Sequence, residues 1–369
     1  MKSFFAALLL LAALLRADAQ SLRFSPNADT AHHAQLSVEG YVDTYFGFDF
    51  NQPKDANRPY FVSQGRHNEF NVNLAYLSAK YTSDRVRATL TPGFGTYMNA
   101  NYATERGSLR NLVEANVGVK LWKKRNIWLD AGVIGSPYTN ETAISLDQIN
   151  LSRSFAPEYV PYYLSGLKLA LPLGAKTTLY AYYLNGWQQI EDVNTPLSFG
   201  TQLEHKPSAK LTLNWNTFVG NENSASAPSY QMRYFSDLFA LWNPTARLNL
   251  TACVYGGIQE RRDSSAVRNS RWWQANVSAR YALGGGRSVS ARLEHFSDPT
   301  SVFIVPVVAT TSGFDCSSLT LGYNLNLTKQ TVFRLESRYF WSGRDVFLND
   351  DLRPSKRDFL LMGGLTARF

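Results

Sequence analysis

The side chains of this sequence that could do chemistry are charged residues that recur at every second position. Arg334, Glu336 and Arg338 form one such run. Because side chains alternate between the two faces of an extended strand, charges two residues apart share a face. A ring of charges around an aqueous passage would select ions by their sign. Charges on neighbouring strands could instead pair with each other and only keep that face polar.

Ten such residues lie on the face that the alternation assigns to an interior. They are Glu39, Asp43, Arg85, Arg87, Lys120, Arg280, Arg292, Arg334, Glu336 and Arg338. Basic residues outnumber acidic residues in this set. We therefore expect any passage that they line to favour anions mildly.

The residue types that would indicate an enzyme or a metal site do not form a recognisable set. His67 and Glu69 are two apart, but a metal needs three or four ligands and no third is evident, so a polar rim is the better interpretation. His205 and His295 have no obvious nucleophile beside them in sequence. The glycines at 284–286 precede no helix pattern, so a phosphate loop is not indicated. We expect no enzyme, no metal and no cofactor.

The elements that must position the charges are β-strands, because apolar and polar residues alternate over long segments. From Leu36 to Phe50 the even positions are mostly apolar, while the odd positions include Glu39 and Asp43. The same period recurs at 86–90, 117–121, 211–215, 248–254, 275–281 and 319–327. Stretches of this kind suit tilted membrane strands of about 9–11 residues.

Short and long links alternate between these segments. The short links lie at 82–85, 122–126, 172–175, 205–209, 243–246, 283–287 and 328–330. Longer polar links lie near 51–66, 99–109, 136–161, 186–196, 221–230, 258–271, 297–316 and 342–356. Outer-membrane barrels show this asymmetry, with short periplasmic turns and long extracellular loops.

The pattern therefore predicts an all-β fold, a transmembrane antiparallel up-and-down β-barrel. Seven short and eight long links join sixteen strands, and both termini then lie in the periplasm. The number of strands depends on weak segments near 178–186 and 230–242, and one or two could be miscounted. A barrel of about sixteen strands is wide enough to leave an aqueous channel.

The beginning of the sequence is typical of a secretory signal peptide. Lys2 precedes an apolar run from Phe4 to Leu15, and Ala17-Asp18-Ala19 forms a small-x-small cleavage site. The signal peptide argues against contact with nucleic acid, and the basic cluster at 123–125 is only one short turn.

We accordingly divide the chain into a signal peptide at 1–19, a short periplasmic leader at 20–35 and a barrel at 36–369. The final strand pattern alternates down to Phe369, an aromatic end of the kind that barrel assembly machinery recognises. The expected location is the outer membrane of a Gram-negative bacterium. The expected partners are membrane lipid and the assembly machinery, and nothing in the sequence excludes a homo-oligomer.

The longest link, at 136–161, is the third long link by count. In sixteen-stranded porins the loop at this position folds into the barrel and narrows it, so the analogy is one of position. Its charged residues are Glu141, Asp147, Arg153 and Glu158. The alternatives are a surface loop or a partly β-structured extension.

Several segments resemble the OmpL-like β-barrel porins. They are GYVDTYFGFDFN at 40–51, RHNEFNVNLAYLSAKY at 66–81, GTYMNANY at 95–102, LDAGVIGSPYTNET at 129–142, NLSRSFAPEYVPYYLSGLKL at 150–169 and YYLNGWQQI at 182–190. The resemblance implies an outer-membrane pore. It supplies no substrate and no functional residues.

Two functions remain open at this point. The first is a porin that allows passive diffusion of small hydrophilic solutes or ions. The second is a non-conducting outer-membrane barrel that acts as a surface adhesin or a structural protein.

Overall fold

The computed structural model describes residues 34–122, 124–263 and 266–369, and within them sixteen strands close into one antiparallel barrel. The strands are β1 (Gln35–Asp49), β2 (Phe70–Thr82), β3 (Val86–Phe94), β4 (Leu112–Trp122), β5 (Ile127–Gly135), β6 (Tyr163–Pro172), β7 (Thr177–Leu184), β8 (Ser198–Ser208), β9 (Leu211–Asn221), β10 (Tyr230–Trp242), β11 (Leu248–Asp263), β12 (Ala266–Gly284), β13 (Arg287–Asp298), β14 (Phe314–Asn326), β15 (Thr331–Trp341) and β16 (Arg357–Arg368). Each strand pairs with its neighbours in the chain. The seam is closed by β1 and β16, with Tyr41 opposite Arg368. The predicted fold class is confirmed.

The predicted signal peptide at 1–19 and residues 20–33 of the predicted leader lie outside the described residues. The first strand begins at Gln35, one residue before the predicted start of the barrel.

The wall follows the period of two that the sequence shows. In β1, Tyr41, Asp43 and Tyr45 are buried inside the barrel, while the alternate residues Val42, Thr44 and Phe46 lie on the outer face and are partly exposed. Exposed apolar side chains continue this outer face around the barrel, among them Leu90, Val117, Trp215, Leu238, Val277, Leu293, Leu321 and Leu335. An apolar surface that encircles a barrel suits hydrocarbon rather than water.

The links differ in length between the two ends of the barrel. The short links span residues 83–85, 123–126, 173–176, 209–210, 243–247, 285–286 and 327–330. The links at the other end span residues 50–69, 95–111, 136–162, 185–197, 222–229, 264–265, 299–313 and 342–356. Gln35 and Arg368 lie at the short-link end, because Gln35 pairs with Thr82 and Arg368 with Tyr41.

One predicted long link is wrong. The sequence pattern predicts a polar loop at 258–271, but β11 extends to Asp263 and β12 begins at Ala266, with Ile258 opposite Arg271 and Asp263 opposite Ala266. The reason is that a strand pair beyond the membrane has polar residues on both faces. The apolar period that marks the other strands is therefore missing here, although the backbone pairing continues.

Short helical segments lie in two of the long links, 95–111 and 136–162. They are α1 (Thr96–Asn101), α2 (Phe155–Glu158) and two 3₁₀ turns at Gly107–Asn111 and Ser145–Asp147. A small ribbon pairs Phe347–Leu348 with Pro354–Ser355. No helix in the described part of the chain is long and apolar enough to cross a membrane.

The core lies inside the barrel, toward the long-link end. Phe155 from one long link packs against Phe61 from another, with ring centroids 5.3 Å apart, and against Phe296 and Phe314 of the wall at 5.8 and 5.7 Å. The sequence pattern assigned polar residues to the interior throughout. The structure corrects this at the long-link end, where aromatic side chains point inward and pack on the loops.

Candidate functional site

The link at 136–162, which we call the crossing loop, leaves β5 and runs through the interior to the opposite wall before it returns to β6. Its first contacts are with β10, β11 and β12. Thr139 N donates to Asp237 Oδ2 at 2.6 Å, and Asn140 Nδ2 donates to Thr251 Oγ1 and Asn276 Oδ1 at 2.9 and 2.8 Å. All of these groups are buried.

Side chains of β15 hold the middle of the crossing loop. Glu336 accepts from Leu151 N at 2.7 Å and also from the Ser152 backbone and hydroxyl. Arg334 donates to the Ser145 carbonyl at 2.7 Å, and Arg338 donates to the Arg153 carbonyl at 2.9 Å. A non-helical loop satisfies its backbone groups here through charged side chains of the wall, as burial requires.

A network of buried charges also holds the crossing loop at Glu141 and at Phe155. Arg292 lies 3.3 Å from Glu141 of the loop and 3.2 Å from Glu294 of its own strand. Glu294 also lies 2.6 Å from Arg338, and it accepts from Phe155 N at 2.6 Å. Buried ions remain charged only when they are paired and hydrogen-bonded in this way.

The crossing loop also packs closely against the barrel wall. A Cβ atom at Gly364 of β16 would lie 2.9 Å from Leu151 Cδ1, so glycine lets the crossing loop rest directly on the wall. The loop is therefore bound to the wall from β9 through β16 to β1 by hydrogen bonds, ion pairs and apolar contact.

The four charged residues predicted for this loop differ in their surroundings. Glu141 and Arg153 are buried, and Arg153 donates to carbonyls of its own loop at Thr142, Asn150 and Leu151. Glu158 accepts from Val62 N at 2.6 Å, and its burial raises its pKa to about 6. These three charges hold the loop in place. Asp147 is the member of the set that stays exposed.

Five of the ten residues predicted to line a passage point into the barrel but are covered by loops. They are Asp43, Arg292, Arg334, Glu336 and Arg338. Asp43 accepts from Asn73 at 3.0 Å and from Thr366 at 2.9 Å. Because these five side chains are shielded from water, they hold the loops in place and do not line an aqueous passage.

The other predicted residues lie toward the short-link end. Glu39 accepts from the Tyr76 hydroxyl at 2.8 Å and lies 3.6 Å from Arg368, which also binds Asp147 at 2.9 Å. Arg280 donates to Asn249 at 3.2 Å on the neighbouring strand. Arg85 belongs to a short link rather than to a strand, and it is exposed there.

Arg87 and Lys120 belong to a group of cations on the β3–β6 wall. Arg87 lies 2.5 Å from Asp130, and Lys168 lies 3.7 Å from the same carboxylate. Asp130 is buried, whereas Arg87 and Lys168 are partly exposed. The ammonium of Lys120 lies 5.1 Å from the centre of the Trp128 ring, and the guanidinium of Arg87 lies 4.5 Å from the same ring.

Glycine makes the Arg87–Asp130 contact possible. The two residues lie on β3 and β5, which are separated by β4, and Gly118 of β4 is paired with both of them. A Cβ at residue 118 would overlap the Asp130 carboxylate and the Arg87 stem. The ion pair thus bridges across an intervening strand.

A cavity of about 230 Å³ lies between the crossing loop and the β2–β4 wall. Its lining includes Lys80, Glu114, Asp147, Tyr76 and Tyr162. Lys80 and the tyrosines were not among the predicted site residues. Lys80 has the inward parity of its strand and could have been found by it, whereas Tyr162 comes from the crossing loop and no local pattern marks it.

Comparisons with known proteins agree with the architecture. A family model described as putative beta-barrel porin-2, OmpL-like, matches residues 35–369. No curated protein matches the sequence significantly. The structure is similar to the anion-selective porin from Comamonas acidovorans, with 11% identity, coverage of 91% of this chain and 100% of that chain, and a TM-score of 0.60.

Two other solved structures have the same barrel. The outer membrane channel DcaP of Acinetobacter baumannii shows 9% identity, with 91% of this chain and 97% of that chain covered and a TM-score of 0.63. The trimer form of OmpT from Vibrio cholerae shows 10% identity, with 92% of this chain and 100% of that chain covered and a TM-score of 0.56. Identities this low show a shared fold alone.

Proposed function

The chain belongs to the OmpL-like beta-barrel porin-2 family, and on that basis we propose that it is a passive channel for small hydrophilic solutes or ions across the outer membrane. The function is that of a channel rather than an enzyme.

The observation that carries this proposal is the one-sided attachment of the crossing loop. Its hydrogen bonds and ion pairs to the barrel strands go to β9–β16 and to Tyr41 of β1. The wall at β2–β6 therefore keeps partly exposed charged side chains such as Arg87, Lys120 and Lys168. The cavity beside Asp147 and Lys80 lies on this side of the loop. A polar, hydrated wall beside a fixed loop is the arrangement that a diffusion channel needs. Solutes would pass along this wall.

Location and assembly belong to the same proposal. The exposed apolar outer face suits the outer membrane, and the signal peptide at 1–19 would direct export and then be removed. Phe369 lies on the lipid face beside β16, where assembly machinery could recognise it, and its backbone N–H and carbonyl both bond to Gly40. Because OmpT of Vibrio cholerae has a trimer form, we include a homo-oligomer in the proposal.

The test is the conductance of the purified protein in a planar lipid bilayer. Stepwise currents in potassium chloride would support the channel. Their absence from protein that shows heat-modifiable gel migration, and is therefore folded, would contradict it.

The non-conducting barrel is favoured by one specific observation. The aromatic cluster around Phe155 fills the interior toward the long-link end, and its members from several loops and strands are almost fully buried. A barrel closed by this cluster would serve as an adhesin or a structural protein. The same bilayer recording distinguishes the two functions.

A further inference from the structure

The net positive charge of the barrel is concentrated in its seven short links. By sequence these links hold eight basic residues and one acidic residue, Asp84. The rest of residues 34–369 holds 26 basic and 26 acidic residues, so it has no net charge. The long links hold nine basic and twelve acidic residues. One end of the molecule is therefore cationic, and the other end is slightly anionic.

The described basic residues of the short links form a ring that we call the cationic collar. Its members are Arg85, Lys124, Arg125, Lys176, Lys210, Arg247 and Lys329. All are exposed, and none forms an ion pair with another described residue. The link at 285–286 holds no basic residue itself, but exposed Arg287 follows it at once. Like charges that repel one another without internal partners are stabilised by an external anion.

The side chains of two collar lysines extend along the short-link end of the wall rather than across the barrel opening. Lys176 Nζ donates to the Pro207 carbonyl at 2.7 Å, and Lys210 Nζ donates to the Pro244 carbonyl at 3.0 Å. In both cases the lysine therefore contacts the next segment of the chain at the short-link end of the barrel. An ammonium has three N–H donors, so each lysine keeps donors for a second acceptor outside the barrel.

The collar lies at the depth of a membrane interface. Trp242 ends β10 on the outer face, directly before the link that contains Arg247, and it is exposed. Tyr281 and Phe369 are exposed at the same end of the barrel. The guanidinium of Arg125 lies 5.5 Å from the centre of the exposed Trp122 ring. Aromatic residues at the ends of an apolar band mark the level of lipid headgroups.

We propose that the cationic collar binds the anionic phospholipid headgroups of the inner leaflet. This rests on the outer-membrane location proposed above, with the short links on the periplasmic side. A phosphodiester accepts the charge-assisted hydrogen bonds that lysine and arginine donate. A ring of such residues at headgroup depth therefore selects anionic over zwitterionic lipid, and it fixes the level of the barrel in the membrane.

The experiment measures lipid bound to the folded full-length barrel by native mass spectrometry, in titrations with phosphatidylglycerol and with phosphatidylcholine. The wild-type protein should bind phosphatidylglycerol more tightly. The variant Lys124→Gln/Arg125→Gln/Lys176→Gln/Lys210→Gln should bind it at least about tenfold more weakly, because each cation near an anionic surface contributes to affinity. Binding of phosphatidylcholine should not change.

A matched control removes four exposed arginines from the opposite end of the barrel, in the variant Arg262→Gln/Arg268→Gln/Arg271→Gln/Arg353→Gln. It should bind phosphatidylglycerol as the wild type does. Equal binding of both lipids by the wild type, or equal loss in the two variants, would overturn the proposal. So would collar-dependent binding of soluble peptidoglycan fragments without collar-dependent binding of phosphatidylglycerol. Heat-modifiable migration verifies that each variant is folded.

Discussion

Glu294 is the residue on which the buried ion network depends. Its carboxylate contacts Arg292 and Arg338, and it also accepts from the Phe155 backbone of the crossing loop. One carboxylate thus contacts two buried cations and also holds a loop. Removing it would leave both guanidinium groups with less countercharge in a dry environment, where an unpaired charge is most unfavourable.

We therefore expect Glu294→Ala to lower the free energy of unfolding by about 3–5 kcal/mol, the usual effect of breaking a buried ion pair. The measurement is urea unfolding of the barrel in lipid vesicles. Glu191→Ala is the control, because Glu191 forms an exposed pair with Arg106 at 3.8 Å and surface pairs contribute little. Equal effects of the two substitutions would show that the network does not stabilise the fold.

Glu158 gives the crossing loop a dependence on pH. Its burial raises its pKa from 4.5 to about 6, so the folded state favours the neutral carboxyl. The resulting stabilisation, about 2 kcal/mol from the size of the shift, is complete below pH 4.5 and is lost as the pH rises through about 6. We expect hydrogen exchange of the amides near α2, corrected for intrinsic rates, to be faster at pH 7.5 than at pH 5.

Glu158→Gln should remove this difference, because glutamine has a similar shape and does not ionise. If the variant keeps the full pH dependence of the wild type, another group causes it.

At the scale of elements, the crossing loop decides how much of the interior is open. It occupies the β10–β16 side of the barrel and forms one boundary of the cavity beside β2–β4. We expect deletion of residues 143–148 to raise the single-channel conductance, because this segment includes Asp147 and other groups that line the cavity. Deletion of residues 224–227 from another long link is the control. An unchanged conductance in the first deletion would show that the loop does not limit the current.

The strands could be predicted from the sequence, but the packing of the loops could not. In β1 the apolar residues alternate for more than ten residues, and in β14 they alternate from Leu319 to Leu325. This local pattern is enough to locate a strand and its outward face. The position of the crossing loop depends on contacts such as Ser152 with Glu336, which are 184 residues apart. No local period encodes such a contact. The sequence pattern therefore identified the charges of the interior but did not show that loops cover half of them.

The hairpin of β11 and β12 shows that the sequence pattern can also miss part of a strand. Its pairing from Ile258 to Asp263 is as regular as that of the membrane strands, but its residues are polar on both faces. Hydrophobic alternation reports burial rather than backbone conformation. It therefore fails wherever a strand leaves the membrane.

At the scale of the whole molecule, we predict that the exposed basic side chains of the β2–β6 wall give the interior a preference for anions. Asp130 is the only partner of Arg87 and Lys168 among the ion pairs of the described residues, while Lys120 has a ring contact and Lys80 is exposed. We expect a mild anion preference, measured as the reversal potential across a bilayer in a potassium chloride gradient. Lys120→Glu/Lys168→Glu should shift this potential toward cations, because the substitution reverses two charges on the wet wall.

Arg262→Glu on the protruding hairpin is the control and should leave the potential unchanged. Cation preference in the wild type would contradict this prediction without affecting the proposal that the barrel conducts.

The crossing loop also has a mechanical consequence. A barrel is a thin elastic shell, and its softest deformation is flattening from a circular to an elliptical cross-section. The loop begins and ends at β5 and β6 and is fastened to the far wall at Glu336 and Arg334, so it acts as a strut across the diameter. A strut resists this flattening most strongly along its own direction. The barrel should therefore keep its shape under changes in lateral membrane pressure that would deform an unbraced shell of the same size.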